Sequence, residues 1–428
     1  MNKQFTVEEQ AGFAKTASYR ISAVSRKIRD NALLSVVSAL EVNKQEIYNA
    51  NEKDLKAAEQ GKINVTLIER LKFGEKELNT VIQGIGDLIA MDDPIGNTID
   101  ARELDNDLIL YKISVPIGLI GVIFESRPGA LVQIAALCIK SGNAVILKGG
   151  KEAINTNAVL YKLIYNAIVQ SDKVFENLVQ LVETREDIHK LLKLDNIIDL
   201  MIPRGSNALV RNIKENTKIP VLGHADGICH VYIDKDADIR MGLEITKDAK
   251  CQYPAVCNAA ETLLVHKDVA EKFLKELESV LNDVELRGCE RTCKIISIKP
   301  ATDADWRTEY NDLILSIKIV DSTEDAVAHI NNYSSHHTDA IITENKEKAD
   351  YFVNFVDSSS VMWNCSTRFS DGYVYGLGAE VGVSTNKIHA RGPVGLEGLT
   401  IYKYKLQGSG QIVADYKDGK KKFTHRNI

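Results

Sequence analysis

The feature that most constrains this chain is the regular alternation of short apolar runs with helix-length stretches between residues 118 and 202. Apolar runs stand at 118–124 (GLIGVIF), 144–148 (AVILK), 178–182 (LVQLV) and 197–202 (IIDLMI), and helix-like stretches fill 129–141, 152–171 and 186–193. Strands that are apolar throughout need cover on both faces, so this pattern predicts a parallel sheet with helices on either side. Ligands of such sheets sit outside the carboxyl ends of the strands.

A second alternating series runs from about 237 to 365. It reads as helix 237–250, strand 261–266, helix 269–282, strand 313–320, helix 323–331, strand 339–343, helix 346–356 and strand 360–364. A chain of 428 residues exceeds what one core supports, so two α/β lobes with a cleft between them is the economical reading. The first ninety residues read as helices. Thr6 with Glu9 and Thr66 with Glu69 fit capping boxes, and helical periodicity over 29–60 stops at Gly61. Leu108–Val115 turns strand-like and ends at Pro116. Near the C-terminus, the glycine-rich segment 372–398 leads into 399–405, where apolar and basic residues alternate as in a half-exposed edge strand; a second subunit could cover such an edge.

Charge narrows the partners. Lys and Arg number 53 against 59 Asp and Glu, a net charge of −6, and no basic stripe marks a nucleic-acid surface. The apolar runs fall far short of the roughly 20 residues that cross a bilayer, and the N-terminus lacks the apolar segment of a signal peptide. A cytoplasmic address follows, and with it seven reduced cysteines. Cys289 and Cys293 are spaced like half a metal site, but no further Cys or His cluster completes it, so no metal is expected.

Neither G-x-G-x-x-G nor the P-loop pattern occurs. Pro203-Arg204-Gly205-Ser206 instead follows an apolar run and opens a predicted helix at 206–216. Glycine there permits close approach of a phosphate to free helix N–H groups; the plainer reading is a strand–helix turn with Ser206 as N-cap. Lys148 ends the 144–148 strand before Gly149-Gly150. It reads on pattern alone as a solvated strand end, although a cation there could hold a ribose or its phosphate. Cys257 lies in CQYPAVCN (251–258), in a loop between a predicted helix and strand where a nucleophile would be rigid yet reachable. Residue type alone gives it odds of about one in seven among the cysteines. His224, Asp226 and His230 share one loop and could suggest a metal, but lone loop histidines are more often hydrogen-bonded structural residues, and that reading is preferred.

At these segments the sequence resembles the γ-glutamyl phosphate reductases, a branch of the aldehyde dehydrogenase superfamily. The resemblance spans nearly the whole chain through VPIGLIGVIFESRPG (115–129), LKGGKEA (147–153), IPRGSNALV (202–210), VLGHADGICHVYID (221–234), PAVCNAAETLLV (254–265), TEYNDLILSIKIVDS (308–322), INNYSSHHTDAIIT (330–343), NCSTRFSDG (364–372) and GLGAEVGVSTNKIHARGPVGLEGLT (376–400). It implies a cofactor-binding domain at 1–98 and 117–235 and a catalytic domain at 236–375. An oligomerisation hairpin at 99–116 with a strand in 398–417 would complete an aldehyde-dehydrogenase-like α/β fold.

The same resemblance implies NADPH-dependent reduction of γ-glutamyl phosphate to glutamate-5-semialdehyde and phosphate, in proline biosynthesis, through a thioester on Cys257. Lys148 would contact the adenosine ribose or its phosphate, Gly205 and Ser206 the pyrophosphate region, and Glu309 the nicotinamide ribose. Arg127 and Arg368 would meet anionic groups of the substrate. His337-Thr338-Asp339 reads as loop scaffolding. The Cys257 N–H would face the oxyanion; the family's usual second donor, an asparagine, is absent near FESRP. Ordinary aldehyde dehydrogenases carry a water-activating glutamate in the segment matching LGHADGICH. Here that segment holds none, which favours acyl-phosphate reduction over aldehyde oxidation. A homo-oligomer is expected, and the chain is taken up by the two lobes, so the glutamate kinase that makes the acyl phosphate would be a separate protein in transient contact. The competing readings are another thiol-dependent aldehyde dehydrogenase or acyl reductase of the same fold, and a catalytically silent binding protein.

Overall fold

The chain opens as helices for reasons visible in its caps. In a computed structural model that describes residues 5–61 and 65–428, the Thr6 hydroxyl accepts from the Glu9 N–H at 3.2 Å, and the Glu9 carboxylate accepts from the Thr6 N–H at 2.8 Å. This box starts the helix Val7–Ile21. The periodic run after residue 26 becomes two helices, Arg26–Val42 and Lys44–Gln60, parted at Asn43. Helix Val65–Leu71 already contains Thr66, so the second expected box does not frame its start; the Thr66 side chain lies outside the described residues.

Strands β1 (Thr98–Asp105) and β2 (Leu108–Pro116) form an antiparallel hairpin. The first parallel sheet follows with β3 (Leu119–Phe124), β4 (Ala144–Lys148), β5 (Val179–Val182) and β6 (Leu200–Arg204), in the order β5-β4-β3-β6. Every residue of β3 and β4 is buried. Helices from the N-terminal ninety residues pack with Pro128–Lys140 and Ile154–Ser171 around this sheet in one continuous apolar core. Each fully buried Leu, Ile or Val in it contributes roughly 1.5–3 kcal/mol. Entry into β3 needs Gly118, whose φ of +131° lies where other residues are strained and whose missing side chain makes room for Asp199. The Asp199 carboxylate there accepts from the Leu119 N–H at 2.7 Å and pairs with Lys15 at 2.6 Å.

The second parallel sheet comprises β7 (Cys229–Ile233), β8 (Ala260–His266), β9 (Glu285–Gly288), β10 (Lys299–Pro300), β11 (Ile314–Val320), β12 (Thr338–Ile342) and β13 (Ser360–Trp363), ordered β10-β9-β11-β8-β7-β12-β13. The expected boundary at residue 235 is therefore displaced. Strand β7 belongs inside the second sheet, between β8 and β12, because its backbone pairs with both. Late elements return to the first lobe and to the hairpin. Strands β14 (Gly382–Ser384) and β15 (Gly392–Val394) pair with each other, and Val381, Val394, Leu396 and Leu399 join the first lobe's core. Strand β16 (Thr400–Gln407) then extends the β1–β2 hairpin, and β17 (Arg426–Asn427) closes its other side in the order β16-β2-β1-β17. The outer strand β16 leaves Tyr402, Tyr404 and Leu406 exposed.

Candidate active site

Asn207 at the end of the first sheet reaches Glu309 and Asp226 of the second lobe. The carboxyl ends of β3, β4 and β6 carry Glu125-Ser126-Arg127, Lys148 and Arg204-Gly205-Ser206. Facing them are the segments that precede the amino ends of second-sheet strands: His224–Gly227 before β7, Cys257 before β8, Glu309 before β11 and His337 before β12. The residues singled out in the first lobe follow the carboxyl ends of its strands, while those of the second lobe precede the amino ends of theirs.

Cys257 lies in a turn fixed from several sides and is partly exposed. Its carbonyl oxygen accepts from the Cys229 thiol at 3.2 Å. The next residue, Asn258, is buried; its amide donates to the Ser370 carbonyl at 2.9 Å, and its carbonyl accepts from the Thr367 hydroxyl at 2.7 Å. Gly227 presses its backbone on the cysteine. A Cβ built there would overlap the Cys257 Cα and carbonyl oxygen and come within 2.7 Å of its Cβ. The thiol is therefore held on a rigid turn and remains reachable.

Cations gather around it. Burial lowers the pKa of the Arg127 guanidinium, as do the neighbouring cations Arg204 and Arg70, while Tyr253 and Cys257 oppose the shift. Arg127 nevertheless retains solvent access. Arg204 is also lowered by burial and is opposed by Glu380, Cys257 and Asp371; its guanidinium donates to the Glu380 carbonyl at 3.3 Å. Both stay charged, since guanidinium deprotonates only at extreme pH. Arg368 sits farther along the same loop system, where its Nε donates to the Gln252 side chain at 3.0 Å. Ser126, between Glu125 and Arg127, adopts φ +42°, a left-handed conformation costly for serine. The Glu152 carboxylate holds it there, accepting from the Ser126 N–H at 2.8 Å and its hydroxyl at 2.7 Å.

The helix Asn207–Asn216 points its N-terminus into this cleft. Ser206 precedes it with extended backbone angles, but its hydroxyl makes no capping bond to the helix. Its N–H donates to the Glu125 carboxylate at 2.7 Å, and a Cβ on Gly205 would meet the same carboxylate oxygen at 2.5 Å. Asn207 bridges the lobes, donating to the Glu309 carboxylate at 2.7 Å and to Asp226 at 3.1 Å. Lys148 is buried at the end of β4, at 6% exposure; the Glu152 carboxyl is lowered against burial by its bonds from Ser126, with the Lys148 charge adding to them. The reading of Lys148 as a solvated strand end is thus corrected: both faces of its strand are covered. Gly205, Ser206 and Glu309 are brought together at one helix N-terminus; Arg127 stands beside Cys257, and Arg368 beside the Gln252 end of the cysteine loop.

The three residues expected in one loop are divided: His230 lies in β7, because its backbone pairs with β12, and is buried with its Nδ1 2.8 Å from Asp339, while Asp226 stays in the loop, held by Arg211 at 2.5 Å and 2.7 Å. His224 touches the Val383 carbonyl through Nδ1 at 2.8 Å and reaches toward Cys257. His337, read from sequence as scaffolding, leads directly into β12 and also stands beside the cysteine.

With this geometry in hand, likeness to known proteins decides the family. A family model described as the aldehyde dehydrogenase family matches residues 2–295. The γ-glutamyl phosphate reductase of Acetivibrio thermocellus is 54% identical over 425 residues, covering 99% of this chain and 98% of that protein. The chain belongs to the γ-glutamyl phosphate reductases. The corresponding protein of Ruminiclostridium cellulolyticum is 52% identical over 424 residues, 99% of this chain and 98% of its own. The crystal structure of the Thermotoga maritima γ-glutamyl phosphate reductase superposes with a TM-score of 0.93 at 36% identity, covering 95% of this chain and 99% of that one. A γ-glutamyl phosphate reductase is an oxidoreductase acting on a small molecule, and the aldehyde dehydrogenase family uses NAD(P). The residues here fit such a dinucleotide. An acidic oxygen already rests on the Ser206 N–H where a phosphate oxygen would be received, beside a glycine that leaves room for it. No helix among the described residues is long and apolar enough to cross a membrane.

The sequence assigns no site role to Arg204 or Gly227 and reads His337 as scaffolding. Arg204 was embedded in a motif valued for its glycine. Gly227 stood in HADGICH, where the absence of glutamate drew attention. His337 acquires meaning only when β12 is placed beside β7.

Proposed function

We propose that the chain reduces γ-glutamyl phosphate to glutamate-5-semialdehyde and phosphate at Cys257, with NADPH as the reductant. The observation that carries this reading is the placement of Cys257: a reachable thiol on a pinned turn, under two guanidiniums, where the ends of both sheets converge. The full-length likeness to proteins named γ-glutamyl phosphate reductase supports the acyl group.

The Cys257 sulfur attacks the acyl carbon, the carbonyl π electrons move to oxygen, and collapse expels phosphate as the thioester forms. A thiolate suits both attack and later departure. The Cys257 N–H faces the developing oxyanion. Arg127 and Arg204 are suited to balancing charge on the departing phosphate, and Arg368 is placed at the Gln252 end of the loop for a more distant carboxylate of the substrate. Lys148, Gly205, Ser206 and Glu309 would hold the dinucleotide, which supplies a hydride when bound. As the reduced adduct collapses to the aldehyde, the C–S bond breaks and Cys257 leaves as the thiolate that began the cycle. Asp226, the one carboxylate in the segment where oxidising relatives carry their base, is tied to Arg211 and Asn207. That arrangement supports delivery of the acyl group to hydride rather than to water.

The 1–98 and 117–228 region fits the role of cofactor lobe and the 229–375 region that of catalytic lobe. The exposed β16 edge, with Tyr402, Tyr404 and Leu406, fits a contact between copies of the chain. The test runs the reaction backwards. Glutamate-5-semialdehyde, NADP⁺ and phosphate should give reduced cofactor. Omitting phosphate should abolish turnover, and phosphate-independent turnover would instead mark an aldehyde oxidiser.

A further inference from the structure

Beside its placement for catalysis, Cys257 belongs to a cluster the reaction does not require. Its Sγ, a ring nitrogen of His224 and a ring nitrogen of His337 lie within 4.8 Å of one another, and this is the one cluster of three or more His, Cys, Asp or Glu ligand atoms among the described residues that could hold a metal ion. The two rings stand edge to face, 4.8 Å between centroids at 79°. Each imidazole is already oriented from behind. The His224 Nδ1 lies 2.8 Å from the Val383 carbonyl, which can only accept, so Nδ1 donates there and Nε2 is the nitrogen left for a ligand. The His337 Nδ1 lies 2.9 Å from the Thr338 hydroxyl. Its Nε2 is buried without a hydrogen-bond partner, in a residue that is 0% exposed. Orphaned buried nitrogens are uncommon because they cost about 1–3 kcal/mol. Histidine ligands fixed through their second nitrogen are, by contrast, the usual pattern of metal sites.

We propose that His224, Cys257 and His337 form a three-ligand site for a thiophilic divalent cation, best matched by Zn²⁺, whose occupancy blocks the thiol. Two imidazoles and a thiolate are a donor set that zinc favours. Bonds of roughly 2.0–2.3 Å in a tetrahedron put ligand atoms roughly 3.3–3.7 Å apart, so the cluster closes by about 1 Å on binding. Cys257 and His224 are partly exposed and supply the entry path. On coordination the Cys257 S–H proton passes to solvent, a Zn–S bond forms, and hydrating waters leave; one position stays open to water. Arg127 and Arg204 face the same thiol and oppose a second cation, which makes the site reversible. Binding stands on the cluster alone, whereas inhibition rests on the reading of Cys257 as nucleophile.

The test uses the full-length protein and two ions. Titration with Co²⁺ should give a thiolate-to-cobalt charge-transfer band at one ion per chain, absent in Cys257→Ser. Competition with a chromophoric chelator should show Zn²⁺ affinity falling at least about tenfold in His224→Gln and in His337→Gln. His224 is only half-buried, so its variant remains informative if the buried His337 variant fails to fold. Zn²⁺ should suppress turnover at the same concentration that fills the site, and chelation should restore it. Equal Zn²⁺ affinity in wild type, Cys257→Ser and His224→Gln, or no charge-transfer band, overturns the site. A filled site with undiminished turnover overturns the proposed block, and with it the nucleophile reading, while leaving the ligand set standing.

Discussion

The two parallel sheets bury different chemistry. In the first, β3 and β4 are apolar until the very end, where Lys148 appears; Arg204 likewise ends β6. In the second, ionisable groups are buried at the strand starts: His230 in β7, Glu261 in β8 and Asp339 in β12, each 0% exposed. Lys250 and Glu261 pair at 2.6 Å with both side chains out of water, and burial raises the Glu261 carboxyl to about 7 against the opposing pull of Lys250. The first sheet offers backbone N–H groups and terminal cations at its carboxyl ends. The second fixes side chains at its amino ends, and Cys257, Glu309 and His337 all lie on that polar margin. The buried charges of the second sheet pair across elements, His230 with Asp339 and Glu261 with Lys250, whereas the first sheet keeps its charges at its strand ends.

That contrast is open to direct attack. The largest effect is expected at Cys257→Ser, which should cut turnover at least about 1,000-fold with folding unchanged. Next come paired tests of buried cations. Lys250→Met should cost about 3–5 kcal/mol in denaturant unfolding, because Glu261 is left buried without its partner. Lys140→Met in the first lobe should cost clearly less. Lys140 pairs with Asp30 at 2.7 Å, but Asp30 is also held by Arg26 and keeps solvent contact. Equal costs would erase the distinction between the lobes.

Gly227→Ala should lower kcat by about a hundredfold with a smaller effect on KM, since its Cβ would displace the cysteine turn. Glu125→Gln should tighten NADPH binding a few-fold by removing the carboxylate that holds the Ser206 N–H; fluorescence titration measures it. The smallest effect is a slope. His329, on the second lobe, is held neutral with its pKa lowered to about 2 by burial, with help from His230, Lys318 and Arg307. The unfolded chain takes up that proton near its ordinary value of about 6.5, so stability falls as pH drops below that point. His329→Gln should remove up to about 1.4 kcal/mol of loss per pH unit there.

Much of this was legible in the sequence wherever burial is two-sided. The strands beginning at 119, 144, 260, 314, 338 and 360 announce themselves as apolar runs between helical stretches. Strand β7 did not, because it opens with Cys229-His230 and runs into Asp234, polar groups that only their tertiary partners make tolerable. Strand β9 (ELRG) was too short and too charged. The site shows the same division. Gly205, Ser206 and Glu309 were named and come together, but the Glu125 carboxylate on that helix end was not foreseeable. Cys257 entered through family resemblance, since no spacing separates it from six other cysteines. The His224–His337 approach spans more than a hundred residues and exists only through strand pairing.

Cys257 is proposed to carry the acyl group. Protein mixed with glutamate-5-semialdehyde and NADP⁺ without phosphate, quenched within the first turnover and mapped by peptide mass spectrometry, should bear a γ-glutamyl adduct on the Cys257 peptide. Phosphate added before the quench should discharge it. An adduct on Cys251 or Cys365 instead, or none at all while reduced cofactor still forms, would contradict the account.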